Sequence, residues 1–354
     1  MPFRLSENRR REPAEPMKPL VDPADWTPAD LAANDDWIYE LSGAEISDLT
    51  DAVKRNAARG IDIKDVTREE FELPVLGKGL AALREELLNG RGFFLLRGVP
   101  VAEYSRAESA LAFWGIGLHF GEALSQNAEG HLLGHVKDIG GDYADRNTRG
   151  YMSSAAMGFH SDRSDYVALM CLQPARTGGE SRIASTVTLY NTLLERHPEH
   201  VAELVNDFIW TMHGEVSPGQ APWYEYPVFA FEQGWFAGRG VSTHIYKALG
   251  LDGAPADYTP KQHAALDAFK QTVQELAFDM EFRQGDIQFL HNHVTLHSRR
   301  GFEDWPEPER KRHLLRLWVY DADGRTIPPF YRENLKSVTV EGVTPSTPLD
   351  VETV

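Results

Sequence analysis

Cysteine is nearly absent, with Cys171 the single one in 354 residues. No internal disulfide can form, and a structural zinc site built on several thiolates is excluded, so a reducing cytoplasm is the expected compartment. Positive charge is also scarce: 36 Lys and Arg face 53 Asp and Glu, for a formal net charge of -17. A mean field of that sign repels phosphate backbones and anionic lipid, which argues against nucleic acid or a membrane and leaves a small molecule as the expected partner. Long apolar runs are missing. The most hydrophobic window, Gly92-Phe93-Phe94-Leu95-Leu96, breaks at Arg97, far short of the roughly 20 residues that cross a bilayer. The stretch from Met1 to Pro16 is rich in Arg, Glu and Pro and has no signal-peptide core.

What is present is ample core material, 42% hydrophobic and 10% aromatic residues, enough for a large globular unit. Residues 1–25 read as a flexible, solvated N-terminal arm, 26–335 as a single domain and 336–354 as a polar C-terminal tail. Apolar spacing predicts helices over Ser47 to Ala58, Gly79 to Leu88 and Ser105 to Phe120, with a buried strand at Gly92 to Arg97 between the last two. From Gly121 the chain breaks into short segments punctuated by Gly, Asp and Asn, among them the Gly140 to Tyr143 turn. Strands are expected at His131 to Val136, Met152 to Phe159, Tyr166 to Leu172 and Glu180 to Ala184. Such a series points to a mainly β fold with flanking helices, built on a barrel or jelly roll. A helical insertion is expected around 187–280, containing strand-like runs at Phe208 to His213 and Val228 to Phe236. Its last helix starts at Thr259-Pro260. Strands then resume at Ile287 to Leu290 and His313 to Tyr320.

The chemistry-bearing residues fall in the β region. On a strand, His160 and Asp162 in Phe159-His160-Ser161-Asp162 project to one face. Downstream lie three more histidines, His291, His293 and His297, any of which the spacing alone allows as a partner. Two imidazoles and a carboxylate on one face of a metal, with other positions open, is the ligand set of non-haem Fe(II) oxygenases, although zinc accepts the same donors. Arg312 and Arg316, four apart on one strand, share a face, and a buried arginine needs an anion. Gly178-Gly179 is no phosphate loop, since no P-loop Lys follows. His119, His131, His135, His213 and His244 carry no partner pattern and read as structural.

Four ordered blocks carry a resemblance: Phe159 to Asp162, Gly178-Gly179-Glu180-Ser181, Leu296-His297-Ser298-Arg299 and Arg312-His313-Leu314-Leu315-Arg316. Over roughly Gly92 to Tyr320 the chain resembles the taurine dioxygenase family of Fe(II)- and 2-oxoglutarate-dependent oxygenases, within the clavaminate synthase-like group. The resemblance implies a double-stranded β-helix (jelly roll, cupin-like) core and Fe(II), 2-oxoglutarate and O2 as cofactor and co-substrates. It makes His160, Asp162 and His297 the metal ligands and catalytic centre, with His291 and His293 structural or supporting. Ser181, where the family usually has Thr, and Arg312 would hold the distal carboxylate of 2-oxoglutarate. Arg316 would lie near the co-substrate or meet an anionic substrate. The carboxylate of Asp162, which related halogenases lack, points to hydroxylation, desaturation or oxidative cleavage. Trp223, Tyr224 and Asn127 are the further substrate-binding candidates, Gln126 could reach the same cavity, and dimers or tetramers are frequent in the family. A non-redox cupin-like sugar-binding or regulatory barrel and a zinc hydrolase are the competing classes.

Overall fold

The computed structural model describes residues 3–6, 10–140, 153–212, 216, 219–334 and 342–351. The expected turn at Gly140 to Tyr143 lies mostly outside these residues, as do Met152, His213 and the start of the tail at Lys336.

Eight strands form the core: β1 Phe93–Arg97, β2 Met157–His160, β3 Tyr166–Gln173, β4 Ser181–Ser185, β5 Phe278–Met280, β6 Ile287–His291, β7 Thr295–Arg299 and β8 His313–Tyr320. They divide between two facing sheets, one running β1-β6-β3-β8 and extended by short flanking strands, the other running β5-β4-β7-β2. Every pairing among the eight is antiparallel, and the result is the expected jelly roll.

Alternation explains why β1 sits inside. Phe94 and Leu96 pack into one apolar cluster and Phe93 and Leu95 into another, so both faces of this strand are covered. The outer face is covered by three helices, α1 Gly43–Ala57, α2 Leu76–Asn89 and α3 Arg106–Gly117. Ser42 with Glu45 and Ser105 with Glu108 start α1 and α3 as reciprocal capping boxes. Phe289 of β6 stacks on Phe94 at 5.0 Å and meets Phe120 at 4.3 Å, tying helices to sheet.

The longer helices lie at the two ends of the insertion, and its middle holds strands and one short helix, Thr243–Lys247. The insertion opens with α4 Thr186–Arg196 and α5 Pro198–Leu204 and closes with α6 Pro260–Glu275, which Thr259 and Gln262 cap. Between them lie two β-hairpins, Asp207–Thr211 with Trp223–Pro227 and Phe229–Glu232 with Trp235–Gly238. Trp, Tyr and Phe at these positions favour strands.

The N-terminal segment is not a solvated arm throughout. Leu20 and Ala24 are buried, and Asp22 takes up the guanidinium of buried Arg325 at 2.6 Å and that of Arg11 at 3.0 Å. A cation as deeply buried as Arg325 requires this carboxylate. Nor is the C-terminal segment loose where described, since Leu132 N donates to Ser346 O and His135 Nε2 bonds Pro348 O. Among the described residues no helix is long and apolar enough to cross a membrane. Replacing Asp22 by Ala strands Arg325 and is expected to cost about 3–5 kcal/mol of stability in denaturant unfolding.

Candidate active site

β2 ends at His160, and its register sets His160 opposite His297 of β7. Residues directly opposite in an antiparallel pair share a face, and the two rings lie 4.2 Å apart. His160 Nδ1 lies 3.0 Å from Gly158 O, a donor position that leaves the Nε2 lone pair for a metal. Asp162 is not on the strand with His160. It lies in the turn beyond, where its N–H donates to Asn292 Oδ1 at 3.0 Å, while Asn292 Nδ2 donates to Ser164 O and Oγ. Asn292 therefore aims the carboxylate, a role that its place between two histidines does not reveal.

One ligand atom from each of His160, Asp162 and His297 lies within 4.8 Å of the others. Asp162 Oδ2 is 3.8 Å from His297 Nε2 and 3.8 Å from Arg316 Nη1, outside hydrogen-bond reach of both. Burial, reinforced by the neighbouring His160, lowers His297 to about 3, and burial likewise lowers His160. For Asp162, burial pushes upward, but Arg316, then His297 and His160, outweigh it and hold the carboxyl below its usual range. At neutral pH the cluster is two neutral imidazoles and one carboxylate, a set already deprotonated for a divalent cation.

Arg316 on β8 and Arg312, the residue before β8 begins, reach the same cavity, which is also lined by His160, His297, Ser181 and Met157. Arg312 is buried, its Nη1 has no hydrogen-bond partner, and Nη2 reaches only Gly179 O at 3.4 Å. Burial lowers it to about 10, so it remains a cation. The Gly178-Gly179 pair makes room for it: both have φ near +75°, a Cβ on Gly178 would lie 2.4 Å from Gly301 O, and one on Gly179 would lie 3.1 Å from Arg312 Nε. Ser181 Oγ donates to Gln288 Oε1 at 3.0 Å, a bond it must exchange to serve a carboxylate. The donor set fits Fe(II) with a dicarboxylate: three convergent ligands, and beside them a buried guanidinium lacking an anion. The cavity is narrow, about 40 Å³, so space for the co-substrate must come partly from its long lining side chains.

Arg316 is differently engaged. Its Nε donates to Gln126 Oε1 at 2.7 Å, and Gln126 Nε2 donates back to Arg316 O and to Leu132 O. Gln126 thus holds the arginine that faces Asp162. Asn127 instead bonds His131. Trp223 and Tyr224 are absent from the lining of the metal-side cavity and border a second one of about 820 Å³ with Tyr226, Phe229 and Pro328. His293 Nε2 lies 2.9 Å from Asp165 Oδ1, and the His291 ring packs edge-on against Tyr166. Neither joins the His160 cluster.

Residues 57–318 match the Taurine catabolism dioxygenase TauD, TfdA family. FR-33289 synthase of Streptomyces rubellomurinus is 31% identical over 316 residues, covering 88% of this chain and 93% of that protein. The taurine hydroxylase-like protein SAT17 of Stachybotrys chartarum is 29% identical, covering 86% and 80%. Among solved structures, asparagine oxygenase with Fe(II), 3-hydroxyasparagine and succinate superposes with a TM-score of 0.61 at 18% identity, covering 80% of this chain and 93% of that one. The non-haem iron oxygenase OrfP with Fe, succinate and (3S)-hydroxy-L-Arg gives 0.61 at 17% identity, covering 82% and 99%.

Two outcomes follow from the geometry. Gln126→Leu removes the acceptor that orients Arg316 toward Asp162 and should weaken Fe(II) retention by about 10- to 100-fold, read by chelator competition. Burial holds His297 at about 3 and His160 below its ordinary value of 6.5, so both resist protonation as the solution is made mildly acidic. Metal affinity by anaerobic titration should therefore change little between about pH 6 and about pH 7.5, whereas ordinary imidazoles would lose affinity as they protonate.

Proposed function

We propose that this chain, which belongs to the TauD, TfdA family of Fe(II)- and 2-oxoglutarate-dependent dioxygenases, hydroxylates an unactivated C–H bond of a small organic substrate. The observation that carries the reading is the convergence of His160, Asp162 and His297 beside the guanidinium of Arg312, whose Nη1 has no hydrogen-bond partner. Bound Fe(II) supplies O2 activation coupled to the conversion of 2-oxoglutarate to succinate and CO2.

The residues have separable tasks. His160, Asp162 and His297 would hold the metal from one side, with the tautomer of His160 set by Gly158 O. Arg312 would pair with the distal carboxylate of 2-oxoglutarate, where a planar fork gives direction as well as charge, and Ser181 would add a hydroxyl. Arg316, held by Gln126, keeps Asp162 ionised and oriented. The apolar walls Val136, Leu169 and Leu314 limit water around the reacting centre. Asparagine oxygenase and OrfP, bound to hydroxylated amino acids, support hydroxylation of a small polar molecule. A reducing cytoplasm suits an Fe(II) enzyme whose single cysteine, Cys171, is buried.

Anaerobic protein given Fe(II) and 2-oxoglutarate is expected to develop the weak visible charge-transfer band of the chelate, and with O2 to release succinate. Arg312→Ala should raise the 2-oxoglutarate concentration needed for half the band by about 10- to 100-fold. A folded wild-type protein that binds iron but develops no band would sink the assignment.

A further inference from the structure

We propose that Arg239 is the anchor for an anionic group of the primary substrate, a carboxylate, sulfonate or phosphonate. The proposal rests on the hydroxylase reading and names the substrate class.

Arg239 is 3% exposed, and among the described residues no carboxylate pairs with it. Its guanidinium donates from Nη1 to Tyr224 Oη at 2.6 Å, and its Nε has no hydrogen-bond partner. The guanidinium is instead boxed by rings, 4.3 Å from the centre of Trp210, 4.8 Å from Tyr331 and 5.6 Å from both Tyr224 and Tyr226. Cation–π contacts make a buried guanidinium tolerable without neutralising it. Other buried arginines are handled differently: Arg325 pairs with Asp22 and Arg91 with Glu86 and Asp36. Arg239 shares its condition with Arg312, the guanidinium assigned to the co-substrate. A second buried donor lies in the same box, since Tyr226 Oη also has no hydrogen-bond partner.

Position links the box to the metal centre. The next residue, Gly240, lies so close to β2 that an added Cβ would be 2.3 Å from His160 Cα, and its N–H points to Ser161 Oγ at 3.4 Å. Tyr331, on another wall, meets the His293 ring edge-on at 5.7 Å, and His293 bonds Asp165, which follows Asp162 in the chain. Arg239 is therefore carried one residue from backbone packed on a ligand strand. Arg316, the expected anion contact, is already engaged by Gln126 and faces Asp162.

The test is calorimetric titration of anaerobic enzyme, saturated with Fe(II) and 2-oxoglutarate, with five probes that share a butyl chain: pentanoate, butanesulfonate, butylphosphonate, butanol and butylammonium. At least one anion should bind in preference to butanol and butylammonium. Arg239→Met, which keeps bulk and loses charge, should weaken that binding by about 10- to 100-fold, and Arg239→Lys should lie between. The idea is overturned if no anion binds, if the neutral or cationic probe is preferred, or if anion affinity is the same in Arg239→Met. Should Arg239→Met not fold, unchanged anion affinity in both Arg239→Lys and Tyr226→Phe overturns it equally. Absence of the chelate band would remove the hydroxylase reading itself, whereas a normal band with charge-blind binding removes only the anchor.

Discussion

The register that sets His297 opposite His160 is the constraint on which this structure's chemistry depends. β7 is flanked by β2 on one side and β4 on the other, so one strand places four groups together. It sets His297 beside His160, and Arg299 opposite Ser181. Side chains on a strand alternate with a period of two, and a slip of one residue would send His297 to the far face of the sheet. The turn at Gly178-Gly179 delivers β4 at the right level, because only glycine tolerates that backbone and the approach of Arg312.

Around this frame, buried charge is treated in two ways. In one, every charge is closed by partners: Asp165 receives His293 and Arg332, and Asp321 receives Arg84 and the Tyr166 hydroxyl. These networks join the end of β6, the start of β3 and the residues after β8. They are costly to open, because removing one member leaves an unpaired charge in low dielectric. In the other, at Arg312 and Arg239, the guanidinium is held by carbonyl, hydroxyl and ring contacts that leave its charge unneutralised. Such incompleteness leaves a guanidinium open to an anion, as a closed ion pair is not. The interior of an acidic protein can thereby hold local positive sites that its overall charge conceals.

Much of the frame could be read from residue order. The helices that start at Ser105 and at Thr259 are legible from apolar spacing and, in the second, from Pro260 at the first turn, and Glu108 and Gln262 close their caps in the structure. The strand at Phe93 to Arg97 was legible from an apolar run of the right length. The hairpins inside the insertion were only half visible: their runs read as strands, but their pairing depends on contacts between segments. The packing of residues 20–24 is not legible in the sequence, since the partner that buries Asp22 is Arg325, near the other end of the chain.

The sequence by itself determined the donor types and their order: an imidazole and a carboxylate in one block, an imidazole in a second, two arginines in a third. Those are properties of side chains and local spacing, and local spacing survives in any fold the chain adopts. Tertiary structure decided which histidine of three completes the cluster, that Asn292 and Gln126 orient Asp162 and Arg316, and that Arg239 stands beside the metal strand without a carboxylate. Each of these depends on strand register and on the burial of charge far apart in sequence, and both arise only when the two sheets close on one another.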